Sequence, residues 1–404
     1  MITLKRGGRA TASRRAGLSK FKQKRAMPAA KQRKCQPLHD WVSQNRPALP
    51  VSVLWPEKVE ANARNFARGF KGKVMYAVKC NPDPEAIKAV YRGGVRRFDV
   101  ASLHEIALVS DLLPDVTLYF MHPVKAPEAI RKAYSKYGVR KFVLDSEEEL
   151  LKIMRMTDCA TDLDLFVRIA LPKHDGAGVA LHGKFGALPD EAISLLQKAR
   201  AVSRKLGVSF HVGSQCMEPE LYAQAIRLTA DIIDRAGIKV DVLDVGGGFP
   251  SHYPDMTPPA DHVYFSTIHR AIAECGLKGL ELISEPGRRL VVDAGAIVAR
   301  VEGRKNDLLY LNDGVYGGLY DAGPSVRFRF PVALLRSRLR GMKSQAVFRF
   351  AGPTCDSHDM MEGPFSLPDD VAEGDWIVFE RMGGYSDTFR TNFNGFAEYL
   401  KIYL

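Results

Sequence analysis

No two of the six cysteines (35, 80, 159, 216, 275 and 355) are spaced as CxxC. That argues against a zinc site or a disulfide frame, and scattered thiols fit a reduced, cytoplasmic protein. No apolar run is long enough to span a bilayer and no signal-peptide core is present, so no membrane role is expected. No Asp or Glu occurs among the first 34 residues, which hold 12 of the 58 Lys and Arg. Setting them aside leaves 46 basic residues against 46 acidic, so the whole net charge of +12 belongs to this leader. Residues 1–36 cannot bury a core and are expected to be disordered. They read first as a functionally silent tail. A basic arm for RNA or membrane, a targeting leader, and an extension ahead of a start at Met27 stay open. The balanced body gives no reason to expect a nucleic-acid enzyme.

The chain has 404 residues, enough for two domains. From residue 51, short β-rich runs alternate with amphipathic segments: VSVLW (51–55), VMYAVK (74–79), RFDVAS (97–102), TLYFMH (117–122), KFVLDS (141–146), LFVRIA (165–170), VSFHVGS (208–214), VDVLDVGG (240–247) and LELISEPG (280–287). Strands alternating with helices predict a parallel sheet, and about eight such units fit a closed (β/α)8 barrel over 53–290. No GxGxxG follows the first strand, which disfavours an open doubly wound sheet. After about residue 291 strand-like segments follow one another through Gly and Pro turns. That predicts a C-terminal antiparallel β-sandwich or barrel over 291–404, which a strand within 37–52 is expected to join.

In such a barrel, chemistry sits where strands end. The ends supply Lys79, Asp99, Arg168, His211 with Ser214, the run Gly246, Gly247 and Gly248, and Glu285 with Arg288. Alone, Lys79 reads as a surface lysine. In a partly apolar pocket its pKa is expected to fall, which suits it to react with an aldehyde. Alone, three glycines read as a tight turn. They also let backbone N–H groups approach a phosphate. Glu285 and Arg288 read alone as a salt bridge. Cys355 reads alone as a packed small hydrophobe, but beside Asp356 in a turn its odds shift toward exposure and chemistry. No metal cluster is expected.

Together, eight segments resemble the ornithine/diaminopimelate decarboxylase family of fold-type III pyridoxal-phosphate enzymes. They are YAVKCNP (76–82), FDVAS (98–102), FHVGSQ (210–215), DVGGGFP (244–250), SEPGR (284–288), DGVYGG (313–318), GPTCDSHD (352–359) and GGY with FNGF (383–385, 393–396), in family order. The resemblance implies pyridoxal 5'-phosphate held by Lys79, with Glu285 on its ring nitrogen and His211 stacked on the ring. It implies a phosphate clamp of Ser214, Gly246 to Gly248, Arg288 and Tyr385, supported by Asp99, Glu105 and Arg168. Cys355 resembles the group that protonates the α-carbon after carbon dioxide leaves, and Asp356 the carboxylate that takes the distal amine. Tyr320 and Asp321 match a second substrate-binding pair, although they lie closer to DGVYGG than the family pattern has them. The family implies a homodimer in which Cys355, Asp356 and Phe393 reach across to the partner's site.

The CDSxD form points to the ornithine branch, making putrescine for polyamine biosynthesis. Lysine, dual lysine/ornithine, arginine and carboxynorspermidine decarboxylation remain rivals, because one methylene changes binding by only about 1–3 kcal/mol. A non-catalytic relative of the antizyme-inhibitor kind is the alternative of another class. It is disfavoured because Lys79, Glu285, Arg288, Cys355 and Tyr385 are all present.

Overall fold

The chain enters through a helix, Leu38–Asn45, and a strand, β1 (Val51–Leu54). The computed structural model describes residues 38–174, 176–179, 183–336 and 344–404, so the leader expected at 1–36 lies outside the described residues. The strand expected within 37–52 therefore begins only at Val51. Leu38, Trp41 and Val42 have i, i+3, i+4 spacing, which makes an apolar helical face. Val42 is buried by it against the C-terminal sheet.

Eight parallel strands close a barrel: β2 (Lys73–Ala77), β3 (Arg97–Val100), β4 (Thr117–Phe120), β5 (Lys141–Leu144), β6 (Asp164–Arg168), β8 (Lys205–Ser209), β10 (Val242–Asp244) and β11 (Glu281–Ser284). β11 pairs with β2 to complete the ring. Between them, β7 (Ala177–Val179) and β9 (Ser214–Cys216) make a two-stranded antiparallel ribbon. Helices connect the barrel strands, several with side-chain caps: Asp83, Ser102 and Ser146 accept N–H bonds from the first turns of their helices.

Alternate residues of each strand face the barrel axis. Met75, Tyr119, Met121, Val143, Phe166, Val242 and Ile283 form a buried apolar plug there. Burying each such side chain contributes roughly 1.5–3 kcal/mol. One step further along the same facing come Asp99, Arg168, Ser209, Asp244 and Glu285. The lining thus changes from apolar to ionisable at the C-terminal ends of the strands, which is where the chemistry was expected.

The C-terminal part adds β12 (Gly295–Lys305), β13 (Leu308–Leu311), β14 (Val332–Leu335), β15 (Gln345–Ala351), β16 (Met360–Pro368), β17 (Trp376–Glu380) and β18 (Leu400–Tyr403). They form a mostly antiparallel eight-stranded sheet in the order β14-β17-β12-β13-β15-β16, with β1 lying between β12 and β18. The run VSVLW, first of the nine β-rich runs, thus belongs to this sheet and not to the barrel. Period-2 alternation splits β12 between two cores. Ile297, Ala299 and Val301 face one, and Ala296 and Val298 face the other, under the entry helix.

Candidate active site

Lys79 stands in a 3-10 turn, Val78–Cys80, that follows β2. Its ammonium donates to Asp99 of β3, whose side chain is buried. Burial opposes the charged ammonium, but Asp99 and then Glu285 outweigh it, so the lysine pKa is raised. The fall expected from an apolar pocket does not occur in the free protein, because two acids share the barrel mouth with the lysine. Glu105 lies behind Asp99 and accepts the Ala101 N–H at 2.7 Å.

The glycine run is demanded by geometry. Gly246 and Gly248 have φ of +68° and +99°, a region L side chains rarely adopt. A Cβ at Gly246, Gly247 or Gly248 would meet the carbonyl oxygens of Phe210, Glu285 and Gly213 at 2.2, 2.6 and 2.4 Å respectively. The loop is also braced from below. The Tyr222 hydroxyl donates to the Gly247 carbonyl at 2.8 Å. Phe249 is stacked on Tyr222 at 5.1 Å and edge-on to Phe66 at 5.0 Å, contacts of about 0.5–1.5 kcal/mol each.

Three carboxyls and three cations meet at the mouth. Glu285, one residue beyond β11, is buried. Burial first, and then Asp244 and Asp99, push its carboxyl well above the usual range against the pull of Lys79. Asp244, at the end of β10, is pushed up to about 6 by burial, while the Gly246 N–H and a bond to Glu285 pull it back down. The His211 imidazole is held neutral, its pKa lowered by burial and by the charges of Arg168 and Lys79. Its Nδ1 accepts the Gly213 N–H at 3.0 Å, and its Nε2 lies 3.1 Å from where a Gly247 Cβ would stand. Arg168 ends β6, its guanidinium 5.8 Å from the Phe185 ring centre.

Arg288 opens the short helix Arg288–Val291 and is buried. Its Nε donates to Ser214 Oγ at 3.3 Å, and its Nη1 to Tyr253 at 2.8 Å and to Asp321 at 2.9 Å. Its guanidinium lies 4.6 Å from the Tyr385 ring centre. Tyr385 is fixed by a backbone bond to Cys80 at 2.9 Å and has a φ of +57°. Ala77, Lys79, His211, Ser214, Gly248, Glu285, Arg288 and Tyr385 line one small hollow of about 20 Å³. It shares His211 with a second, of about 30 Å³, against Arg168. A far larger cavity of about 1220 Å³ lies on the flank of the barrel near Phe265 and holds none of these groups. The chemistry and this void therefore do not coincide, and the ionisable groups mark the site better than volume does.

Cys355 and Asp356 lie in the turn after β15, beside Phe393. The Tyr316 hydroxyl donates to Asp356, and the Tyr316 ring lies 4.9 Å from that of Phe393. Asp356 also accepts the His358 N–H at 3.0 Å and meets His358 Nδ1 at 3.0 Å. His358 through its N–H, then Tyr316, then the His358 ring lower the Asp356 carboxyl to about 2. The Cys355 N–H donates to Asn394 at 3.1 Å. Cys355 and Asp356 line a separate cavity of about 720 Å³. No residue lines both this cavity and the Lys79 hollow.

Tyr320 and Asp321, expected as a substrate-binding pair, have partners of their own. Asp321 is spent on Arg288, and Tyr320 packs on Phe389 at 4.6 Å. Asp244, Tyr222, Tyr253, Tyr316 and His358 were not singled out in the sequence. Asp244 and Tyr316 stood inside DVGGGFP and DGVYGG, where a buried acid beside glycines was the available signal. Tyr222 and Tyr253 carried none, since a helical or loop tyrosine is usually core.

The donor set fits pyridoxal phosphate. A reactive amine, a buried acid for a ring nitrogen and a backbone cradle that no Cβ could share converge on one mouth. The Asp99 Oδ1 atom is buried there without a donor. Residues 56–292 match the family described as pyridoxal-dependent decarboxylase, pyridoxal binding domain. Ornithine decarboxylase of Mus musculus is 34% identical over 359 residues, 80% of this chain and 73% of that protein. Lysine/ornithine decarboxylase of Selenomonas ruminantium is 32% identical over 364 residues, 86% of this chain and 87% of that protein. Among solved structures, the arginine decarboxylase of Paramecium bursaria Chlorella virus matches with a TM-score of 0.80 at 28% identity, covering 90% of this chain and 98% of that one.

Proposed function

The chain belongs to the pyridoxal-dependent decarboxylases of basic amino acids, and we propose that it converts L-ornithine to putrescine. Bound pyridoxal phosphate supplies an aldehyde for the amino group and a ring that withdraws the electron pair left when the carboxylate departs. In this proposal Lys79 carries the cofactor, Glu285 faces the ring nitrogen and neutral His211 covers the ring. Ser214, Gly246, Gly247, Gly248, Arg288 and Tyr385 hold the phosphate, with Asp99 and Arg168 supporting. Arg288 contributes charge-assisted bonds to it. Cys355 delivers a proton to the substrate α-carbon. Asp356 takes the distal ammonium, with Phe393 alongside. Tyr320 and Asp321 act on the clamp side, Asp321 through Arg288.

The observation that carries the reading is the convergence of Lys79, Glu285, Arg288 and the glycine cradle on one barrel mouth. The preference for a cationic substrate rests on Asp356, a carboxylate held ionised and open to solvent in part. Two features support a homodimer with shared sites. Cys355 and Asp356 line a cavity that shares no residue with the Lys79 hollow, and Phe393 and Phe396 near that turn are left 41% and 46% exposed. Exposed aromatics are the residue type enriched where an interface is later buried.

Lysine is the second reading, favoured by the likeness to a lysine/ornithine decarboxylase. The deciding experiment is mass-spectrometric detection of amine products from ornithine, lysine, arginine and diaminopimelate, with pyridoxal phosphate added. Putrescine in excess is expected; predominant cadaverine or agmatine would replace ornithine. No product, with no cofactor absorbance that Lys79→Ala abolishes, would favour a non-catalytic relative.

A further inference from the structure

We propose that Asp244 is a positioning residue for Glu285: its Oδ2 accepts a proton carried by Glu285, so that the acid meant for the ring nitrogen works as half of a carboxyl pair. The inference rests on the assignment of Glu285 to that nitrogen.

Asp244 is wholly buried at the end of β10. Its Oδ1 accepts the Gly246 N–H at 2.9 Å and so closes the turn into the glycine cradle. Its Oδ2 is buried and receives no bond from any fixed N–H or O–H donor of the described residues. Glu285 stands next door. Asp244 registers with Ile283 across β10 and β11, so Glu285, two residues on, is the next side chain facing the axis. The Glu285 N–H donates to the Gly246 carbonyl at 2.8 Å, which locks the two strand ends together. Each carboxyl shifts the titration of the other, so the two stand close together. Two buried carboxylates side by side are not both ionised, so the pair holds a proton, and the unpartnered Asp244 Oδ2 is the acceptor open to it.

The surroundings decide which group carries it. The groups facing the pair are Lys79 after β2, Asp99 on β3 and Arg168 on β6. Asp244 has the Gly246 N–H and the Arg168 charge to stabilise its anion. Glu285 faces Asp99 and Asp244 with only Lys79 in its favour. The proton therefore sits on Glu285 and points at Asp244. Toward a pyridine nitrogen, Glu285 would give up this proton, its O–H bond exchanged for an N–H bond, and its carboxylate would then balance the charge. Asp244 contributes by keeping Glu285 protonated until that moment.

Asp244→Asn separates this role from packing. The amide oxygen can still take the Gly246 N–H, but its NH2 now stands where Oδ2 stood. That group donates, so a Glu285 proton loses its acceptor and the Glu285 carboxylate is favoured instead. Infrared difference spectra of the cofactor-free protein against pH should show a protonated carboxyl at neutral pH. The signal should be lost in Glu285→Gln and in Asp244→Asn. In the loaded protein the pH midpoint of the cofactor's visible absorbance should shift in Asp244→Asn. Asp244→Asn/Glu285→Gln should behave like Glu285→Gln alone, since neighbouring groups acting as a unit do not add. A carboxyl signal that survives in Asp244→Asn overturns the proposal. So does an Asp244→Asn shift that persists undiminished when Glu285 is already Gln. If Asp244→Asn does not fold, Glu285→Gln still decides, because a carboxyl signal left intact there places the proton elsewhere. The infrared result needs no cofactor and so bears on the carboxyl pair alone. An absorbance titration unaltered by Glu285→Gln would instead strike the assignment of Glu285 to the ring.

Discussion

Asp321 is the buried counter-ion of Arg288, with Oδ2 and Nη1 2.9 Å apart and side chains only 4% and 5% exposed. A cation in that position is costly to bury unless something negative answers it. In the free protein Asp321 answers, and it pays part of the desolvation with its own carboxyl, which burial raises and Arg288 lowers. A bound phosphate would answer too.

Asp321→Asn should therefore hurt the empty protein more than the loaded one. Removing one partner of a buried pair costs about 3–5 kcal/mol. Phosphate can take over as the counter-charge only when cofactor is present. Denaturant midpoints with and without pyridoxal phosphate check this, and an equal loss in both forms would mean that Arg288 does not face the phosphate.

Lys79 must be a free amine before it can attack an aldehyde. Asp99 and Glu285 raise its pKa, so the reactive form grows as pH rises and the ion pair's stabilisation is lost over that same rise. Asp99→Asn removes the closest stabilising charge and should move cofactor uptake by the empty protein to lower pH. Stopped-flow absorbance across an alkaline pH series measures it. A pH profile identical to wild type would remove Asp99 as the group that holds the lysine charged.

Much of the fold was legible because its signals are local and repeated. Nine β-rich runs separated by amphipathic segments gave the barrel, since a strand buried on both faces has few alternatives. The run at 51–55 looked like the others, yet β1 pairs with β12 and β18. Partner choice at such sequence distance leaves no local trace. The helix Leu38–Asn45 was missed for the opposite reason: its three apolar residues make a short helical face that a strand expectation overrode. In the site, Lys79, Glu285, Arg288 and the glycines were legible as polar or permissive residues at strand ends. The Lys79 pKa direction was not, because it depends on acids from β3 and β11 that the chain brings together only on folding. The pairing of Asp321 with Arg288 was not legible either, because the two residues lie 33 positions apart and meet only on folding.

Cys355→Ala should leave cofactor absorbance intact and slow turnover. Loss of a positioned proton donor typically costs about 10²–10⁴-fold. The separation of Cys355 from the Lys79 hollow adds a stricter test. Lys79→Ala and Cys355→Ala chains, each strongly impaired alone, should regain activity when mixed under conditions that exchange subunits. Persistent inactivity of the mixture, with exchange verified by mass, would place both groups in the same chain's site.

Asp356→Ala should act on substrate binding. A hydrogen bond to a charged group contributes about 1.5–3 kcal/mol, so KM for ornithine should rise roughly ten- to a hundredfold with a smaller change in kcat. The pH behaviour follows from the sign of the shift. Tyr316 and His358 hold the Asp356 carboxyl at about 2, below its unfolded value. Its charge is therefore fully present above the ordinary carboxylate range and is lost only as pH falls toward 2. KM should stay flat between pH 5 and 8 so far as Asp356 is concerned. Replacing Tyr316 with Phe removes one of the three donors and should move the acid limb of that profile upward. Steady-state kinetics on ornithine and on norvaline, which lacks the distal amine, isolates the effect: Asp356→Ala should weaken the first and spare the second. An equal loss for both substrates would show that Asp356 supports the turn around Cys355 and does not bind the amine.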